Sequence, residues 1–187
     1  MTIPSKGERT REAIARAAIR ILCEDGFQAL TIASVAAEVG LRRNSYYTHF
    51  NDINVLLDRL SLKLLRDIGM QTARTIAADT RSSLMVRLEY VLSLRRNDPD
   101  IARALSELYV NHAHTAREIQ RGVLFDLTTD RNRGIVRLTN QEADVAAVAI
   151  AAGVIELLRN RQTRPESDER TLLALLSRFC GIKTPTD

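Results

Sequence analysis

Thr31-Ile-Ala-Ser-Val-Ala-Ala-Glu-Val-Gly-Leu-Arg-Arg-Asn-Ser-Tyr-Tyr-Thr-His-Phe50 is the stretch on which the fold turns. Thr31 has the hydroxyl of a helix N-cap, and Ile32, Val35, Ala36 and Val39 recur at the i, i+3, i+4, i+7 spacing of one helix face. Gly40 supplies the stop, and a second short segment, Arg42 to Phe50, follows at once. Two short helices across one glycine-containing turn outline a helix-turn-helix. The second of them is unusual in composition. From Arg42 to His49 every residue except Tyr46 can hydrogen-bond outward. A helix meant only to pack is not spelled this way, whereas one entering a DNA groove must meet base edges and phosphates with closely spaced donors.

The flanks read as helix in both directions. Upstream, Ile14, Ala17, Ala18, Ile21 and Leu22 mark a helix from about Arg9 to Glu24, stopped by Gly26. Downstream, Asp52 caps a helix striped by Ile53, Leu56, Leu57, Leu60, Leu64 and Ile68, weakening after Gly69. A fifth helix is predicted over Arg81 to Arg96, broken by Asn97-Asp98-Pro99, with Pro99 opening a sixth. That sixth helix carries Ile101, Leu105, Leu108, Tyr109 and His112 on one side. A seventh is expected from about Thr115 to Arg133. An eighth runs from Asn140 to about Gln162 and a ninth from about Ser167 to Cys180, with Leu172, Leu175, Leu176 and Phe179 aligned. The Ile135–Leu138 run is β-like but has no partner strand. The expected class is all-α, with about nine helices.

Composition agrees. The chain has 187 residues, 45% of them hydrophobic, so it can build a core and is not globally disordered. Eight Gly and four Pro are too few for the turns of an all-β sandwich or barrel. Its 27 Lys/Arg against 23 Asp/Glu give a net charge of +4. Ten of those basic and seven of those acidic residues fall in the first 66, so that stretch carries +3 and the rest +1. Cys23 and Cys180 lie far apart in apolar surroundings and read as reduced thiols. No apolar run has the length of a signal peptide or a membrane span, so the expected setting is cytoplasmic, away from membranes.

The Thr31–Phe50 stretch, with its Tyr47-x-His49-Phe50 ending and the capped Asn51-Asp52-Ile53-Asn54-Val55-Leu56-Leu57 that follows, resembles the DNA-binding head of the TetR family of transcriptional regulators. The resemblance covers roughly residues 9–60. It departs from the family at Arg42, usually a small capping residue, at Asn44, usually small, and at Ile53, usually a phosphate-contacting Lys. The resemblance implies a head at residues 1–51 and a ligand-sensing, dimerising body at 52–187. It also implies a homodimer on a palindromic double-stranded DNA operator, most often as a repressor released by a small molecule. Geometry and resemblance together make Tyr46 and Phe50 the inward anchors. Arg43, Asn44, Tyr47 and Thr48 are then the groove-facing set, and Thr31, Arg42, Ser45 and His49 the phosphate contacts. For His49 a packed core role stands beside that one.

The body is less explicit. Leu105, Leu108, Tyr109 and His112, with Met85, Tyr90 and Phe125, are the candidate pocket for an effector of unknown identity, because polar tips on an apolar face can orient a ligand. An ordinary core is the competing reading. Val148, Ala152, Ile155, Leu172, Leu176 and Phe179 are the candidate dimer interface, since the apolar surface of the eighth helix wraps most of its circumference; a wholly intramolecular core is the alternative. His112 and His114 would face apart on a helix, so no metal site is expected. No cofactor and no catalytic constellation is expected either. Two other functions compete: a helical small-molecule binder or enzyme with a vestigial head, and a ligand-independent architectural DNA binder.

Overall fold

The computed structural model describes residues 5–78, 80–160 and 165–182. Among them the chain is all-helical without a strand: α1 (Lys6–Glu24), α2 (Ile32–Glu38), α3 (Arg43–Tyr46), α4 (Ile53–Ala78), α5 (Ser83–Asn97), α6 (Pro99–Asn111), α7 (Ala113–Asn132), α8 (Asn140–Arg159) and α9 (Pro165–Phe179). One 3-10 turn, Phe27–Ala29, joins α1 to α2.

Local chemistry sets most of the boundaries. α1 begins earlier than its apolar periodicity indicates, because Ser5 and Glu8 form a capping box: the Ser5 hydroxyl accepts from the Glu8 N–H and the Glu8 carboxylate from the Ser5 N–H. Thr31 caps α2 in the same reciprocal way, with Ser34 in the acidic residue's place. Gly40 closes α2 at φ +67°, a left-handed conformation that a side chain would strain. α3 is a single turn of helix, prolonged because the Phe50 N–H donates to the Tyr46 carbonyl.

α4 runs on past Gly69, where the sequence pattern weakened. Its Thr72, buried, is held by a bond to the Ile68 carbonyl, and Arg87 of α5 lies against this stretch. α5 is capped twice. Ser82 accepts from the Met85 N–H, and Asp130, fully buried on α7, accepts from the N–H groups of Ser83 (2.8 Å) and Leu84 (3.1 Å). A carboxylate there meets the positive end of the helix dipole. The predicted extension of α8 to Gln162 falls outside the described residues. The β-like Ile135–Leu138 run forms no strand; Val136 instead plugs the body core.

Three apolar clusters result. The first joins α1, α2 and α3 through Ile14, Leu22, Val35, Tyr46 and Phe50, and it is completed by Leu56, Leu57 and Leu60 of α4 and by Ala104 and Leu108 of α6. The head therefore does not close on residues 1–51 alone. The second cluster lies among α5, α7, α8 and α9, and the third among α4, α5, α6 and α8. Cys23 and Cys180 are buried free thiols, each pushed up to about 11 chiefly by burial.

Candidate functional site

The helix-turn-helix presents two opposed faces. Tyr46 and Phe50 are buried, their rings 5.8 Å apart, and they hold α3 on the head core. Burial pushes the Tyr46 phenol up to about 12, with Asp52 and Tyr47 adding to the shift. Arg43, Asn44, Tyr47 and Thr48 point the other way and are exposed, as are Arg42 and Thr31. Ser45 and His49 are half-buried at the edge of this face. The Thr48 hydroxyl donates to the Ser45 carbonyl, which stiffens the turn after α3. Ile53 packs its side chain against the head core, so its apolar character serves the fold rather than the surface. Arg59 from α4 lies over the Phe50 ring, 5.4 Å from its centroid.

The body holds a cavity of about 250 Å³ between α4, α5, α6, α7 and α8. Leu65, Ile68, Leu88, Val91, Ile119 and Val154 are among its apolar walls, and Arg87, Glu118 and Asp126 are its charged residues. Arg87 binds Asp126 through two parallel bonds, Nε to Oδ2 at 2.5 Å and Nη2 to Oδ1 at 3.1 Å, and Nη1 donates to the Thr72 hydroxyl at 3.1 Å. Burial raises the Asp126 pKa, and the bonded guanidinium works against that rise.

Of the seven predicted pocket residues, the structure brings only Leu105 and Phe125 to this cavity, Phe125 at an exposed position. Leu108 faces the head core instead. Met85 lies at the seam with α9, beside Ser177. Tyr90 and Tyr109 are half-buried in core packing, and the Tyr109 hydroxyl accepts from Gln120. His112 sits at the α6–α7 corner. The apolar stripe of α6 is divided among three clusters, so it could not be read as one wall. Arg87 and Asp126 were missed, yet Arg87 interrupts the Leu84, Leu88, Val91 face of α5, a charge where the helix period requires an apolar residue.

The two histidines also differ from expectation. Because His112 ends α6 and precedes α7, it does not share a regular helix with His114, and the two rings approach to 6.1 Å. Both turn toward Asp58 of α4, at 3.5 and 3.9 Å. Ser61 spends its one hydroxyl proton on the Leu57 carbonyl, so Thr115 donates to Ser61 and must accept from His112 Nδ1. Neutral His112 thus keeps its proton on Nδ1 and turns bare Nε2 toward the Asp58 carboxylate. Among the described residues no group of three or more His, Cys, Asp or Glu is disposed to hold a metal ion.

No protein-family model matches the sequence. Solved structures do match over nearly the whole chain. A chain from Syntrophomonas wolfei described as TetR-family has a TM-score of 0.77 at 11% identity, covering 97% of this chain and 100% of that one. A bacterial regulatory protein of the TetR family from Rhodococcus RHA1 has a TM-score of 0.67 at 19% identity, covering 97% and 100%. RolR in complex with resorcinol has a TM-score of 0.67 at 15% identity, covering 95% and 90%.

The chain has the TetR-family fold.

In this TetR fold the last two helices carry apolar side chains that the other described residues leave uncovered. Val145, Val148, Leu175 and Phe179 are each half or more exposed, and Ala152 is exposed beside them. Val148, Ala152 and Phe179 thus lie where a second copy could reach them. Ile155 and Leu176 do not, because they are buried in the subunit's own third and second clusters, and Leu172 is half-buried against the second. Val145 and Leu175 belong to the exposed face and were not singled out from the sequence. Among the described residues no helix is long and apolar enough to cross a membrane.

Proposed function

We propose that the chain is a cytoplasmic, non-catalytic transcriptional regulator that binds a palindromic operator as a homodimer and is released, as a repressor, by a small molecule. Residues 1–51 would be the DNA-binding head and 52–187 the sensing and dimerising body. One observation carries the reading. Arg43, Asn44, Tyr47 and Thr48 are exposed together on a short element whose other face, Tyr46 and Phe50, is locked into the head core. An Arg can bind guanine and an Asn adenine through two bonds each, which gives base discrimination. Thr31 presents the N-terminus of α2 for a phosphate, and Arg42, Ser45 and His49 flank the groove-facing set. The uncovered face of α8 and α9 supports a two-fold dimer, whose symmetry would mirror two half-sites.

The effector site would be the cavity walled by Arg87 and Asp126. RolR is known with resorcinol bound, and a cavity of this kind in the present chain supports a small-molecule effector. Release requires that the effector bind the two head arrangements with different affinity. α6 offers the means, since it contributes to both the cavity and the head core.

Genomic fragments captured by the purified chain, then tested by gel shift over a salt series, check the reading. Counterion release predicts that log affinity falls linearly with log salt and that captured fragments outcompete random duplex. No preference at physiological salt would refute it. Ile53, half-buried where the family's phosphate-contacting Lys would stand, favours the rival reading of a small-molecule binder with a vestigial head. That reading predicts ligand binding without any duplex preference.

A further inference from the structure

We infer that the cavity takes a small, uncharged, single-ring molecule bearing one hydroxyl group, the chemistry of a simple phenol. The inference rests on the reading of this cavity as the effector site and adds the class of molecule to it.

Size comes first. An apolar cavity of about 150 Å³ accommodates benzene, so the 250 Å³ here has room for a ring with one or two small substituents. The walls are otherwise apolar, contributed by Leu65, Leu88, Val91, Ile119 and Val154, with Phe125 at an exposed position. The polar chemistry is confined to the Arg87–Asp126 pair and to Glu118, which is engaged with exposed Arg121 at 2.7 Å.

The pair discriminates among polar groups. Arg87 has five N–H donors, of which three are committed to Asp126 and Thr72, leaving two for an acceptor on the ligand. Each Asp126 oxygen accepts one bond from Arg87 and has a lone pair left for a donor. A hydroxyl supplies one acceptor and one donor together. A carbonyl or ether can use only the arginine side. A carboxylate can accept from Arg87 but offers Asp126 no donor, and it sets a second anion beside a carboxylate that is 1% exposed. An ammonium group would face Arg87 across a small apolar space.

The test uses the full-length chain and five matched probes: p-cresol, p-methylanisole, toluene, benzoate and benzylamine, titrated by calorimetry with melting as a second readout. p-Cresol should bind saturably, about tenfold or more tighter than toluene, the value of a well-made buried hydrogen bond. p-Methylanisole should fall between them, and the two ions should not saturate. The double variant Arg87→Met/Asp126→Leu replaces the pair with apolar groups, an exchange that often preserves stability; it should bind toluene and p-cresol equally. Gly122 lines the cavity and a Cβ there meets nothing within 4 Å, so Gly122→Trp should fold and block binding even if the double variant does not fold. Benzoate or benzylamine binding more tightly than p-cresol would overturn the inference. So would equal affinity for toluene and p-cresol in the wild type, no saturable ligand at all, or unchanged p-cresol binding in Gly122→Trp. Duplex binding is measured separately: its failure with p-cresol binding intact refutes the regulator reading and leaves the ligand class standing.

Discussion

Leu105 and Leu108 lie one turn apart on α6 and serve different parts of the molecule: Leu105 lines the cavity, and Leu108 is fully buried in the core of the head. A displacement of α6 by a ligand against Leu105 therefore reaches α1 through Leu108 without an intervening loop. Truncating either leucine should cost about 2–5 kcal/mol of stability, the usual range for a buried Leu→Ala change. Their functional effects should differ. Leu105→Ala should alter ligand affinity. Leu108→Ala should leave it within a few-fold but shrink the ligand's effect on operator affinity. Calorimetry and gel shift below the melting range of both variants check this; undiminished coupling in Leu108→Ala would remove α6 as the connection.

Within the helix-turn-helix, reading and positioning should separate. Arg43→Ala should cost about 1–3 kcal/mol on the cognate operator and much less on random duplex, relaxing preference at one base position. Thr31→Ala should weaken cognate and random duplexes alike, since phosphates look the same everywhere. It also removes a reciprocal cap with Ser34, at about 0.5–2 kcal/mol of stability, so melting is measured first. Equal weakening of all duplexes by Arg43→Ala would make it a phosphate contact and move base reading to Asn44, Tyr47 and Thr48.

The head was legible because its signals are local. The Thr31 cap, the Gly40 stop and the inward spacing of Tyr46 and Phe50 are all written within a few residues, and the structure repeats them. The cavity is not local. Its walls come from five helices, and nothing in the period of any one of them says which neighbour each residue will face. His112 shows the same limit: helical spacing from Tyr109 put it on a wall, but α6 stops at Asn111 and the chain turns there. Ile155 and Leu176 were indistinguishable in sequence from Val145 and Leu175, because apolar residues surround α8 and only packing decides which remain outside.

That outer face carries its own expectation. Val148→Glu and Phe179→Glu, both at exposed positions, should leave the chain folded while placing a charge among the exposed apolar side chains of α8 and α9. Sedimentation at micromolar concentration should shift from dimer to monomer in each, with cognate DNA affinity falling because two half-sites are no longer held together. A wild-type monomer, or a dimer unchanged by both variants, would exclude this face as the interface.

His112 should make the fold sensitive to mild acid. Its ring is mostly buried, and burial lowers its pKa below the ordinary 6.5, with Asp58 opposing that shift and His114 and Arg117 reinforcing it. The unfolded chain therefore takes up the proton at a higher pH than the folded one. His112's contribution is complete above pH 6.5 and is lost as the pH falls from there toward the folded value. Melting temperature should drop between pH 7.5 and pH 5.5, and the drop should be smaller in His112→Gln, which keeps an amide donor for Thr115 but does not titrate. The comparison cancels the contributions of the carboxylates common to both proteins. Asp58→Asn provides the opposite check: removing the one group that raises the His112 pKa should steepen the acid loss. Identical pH dependence in the wild type and His112→Gln would show that another group governs acid sensitivity at this corner.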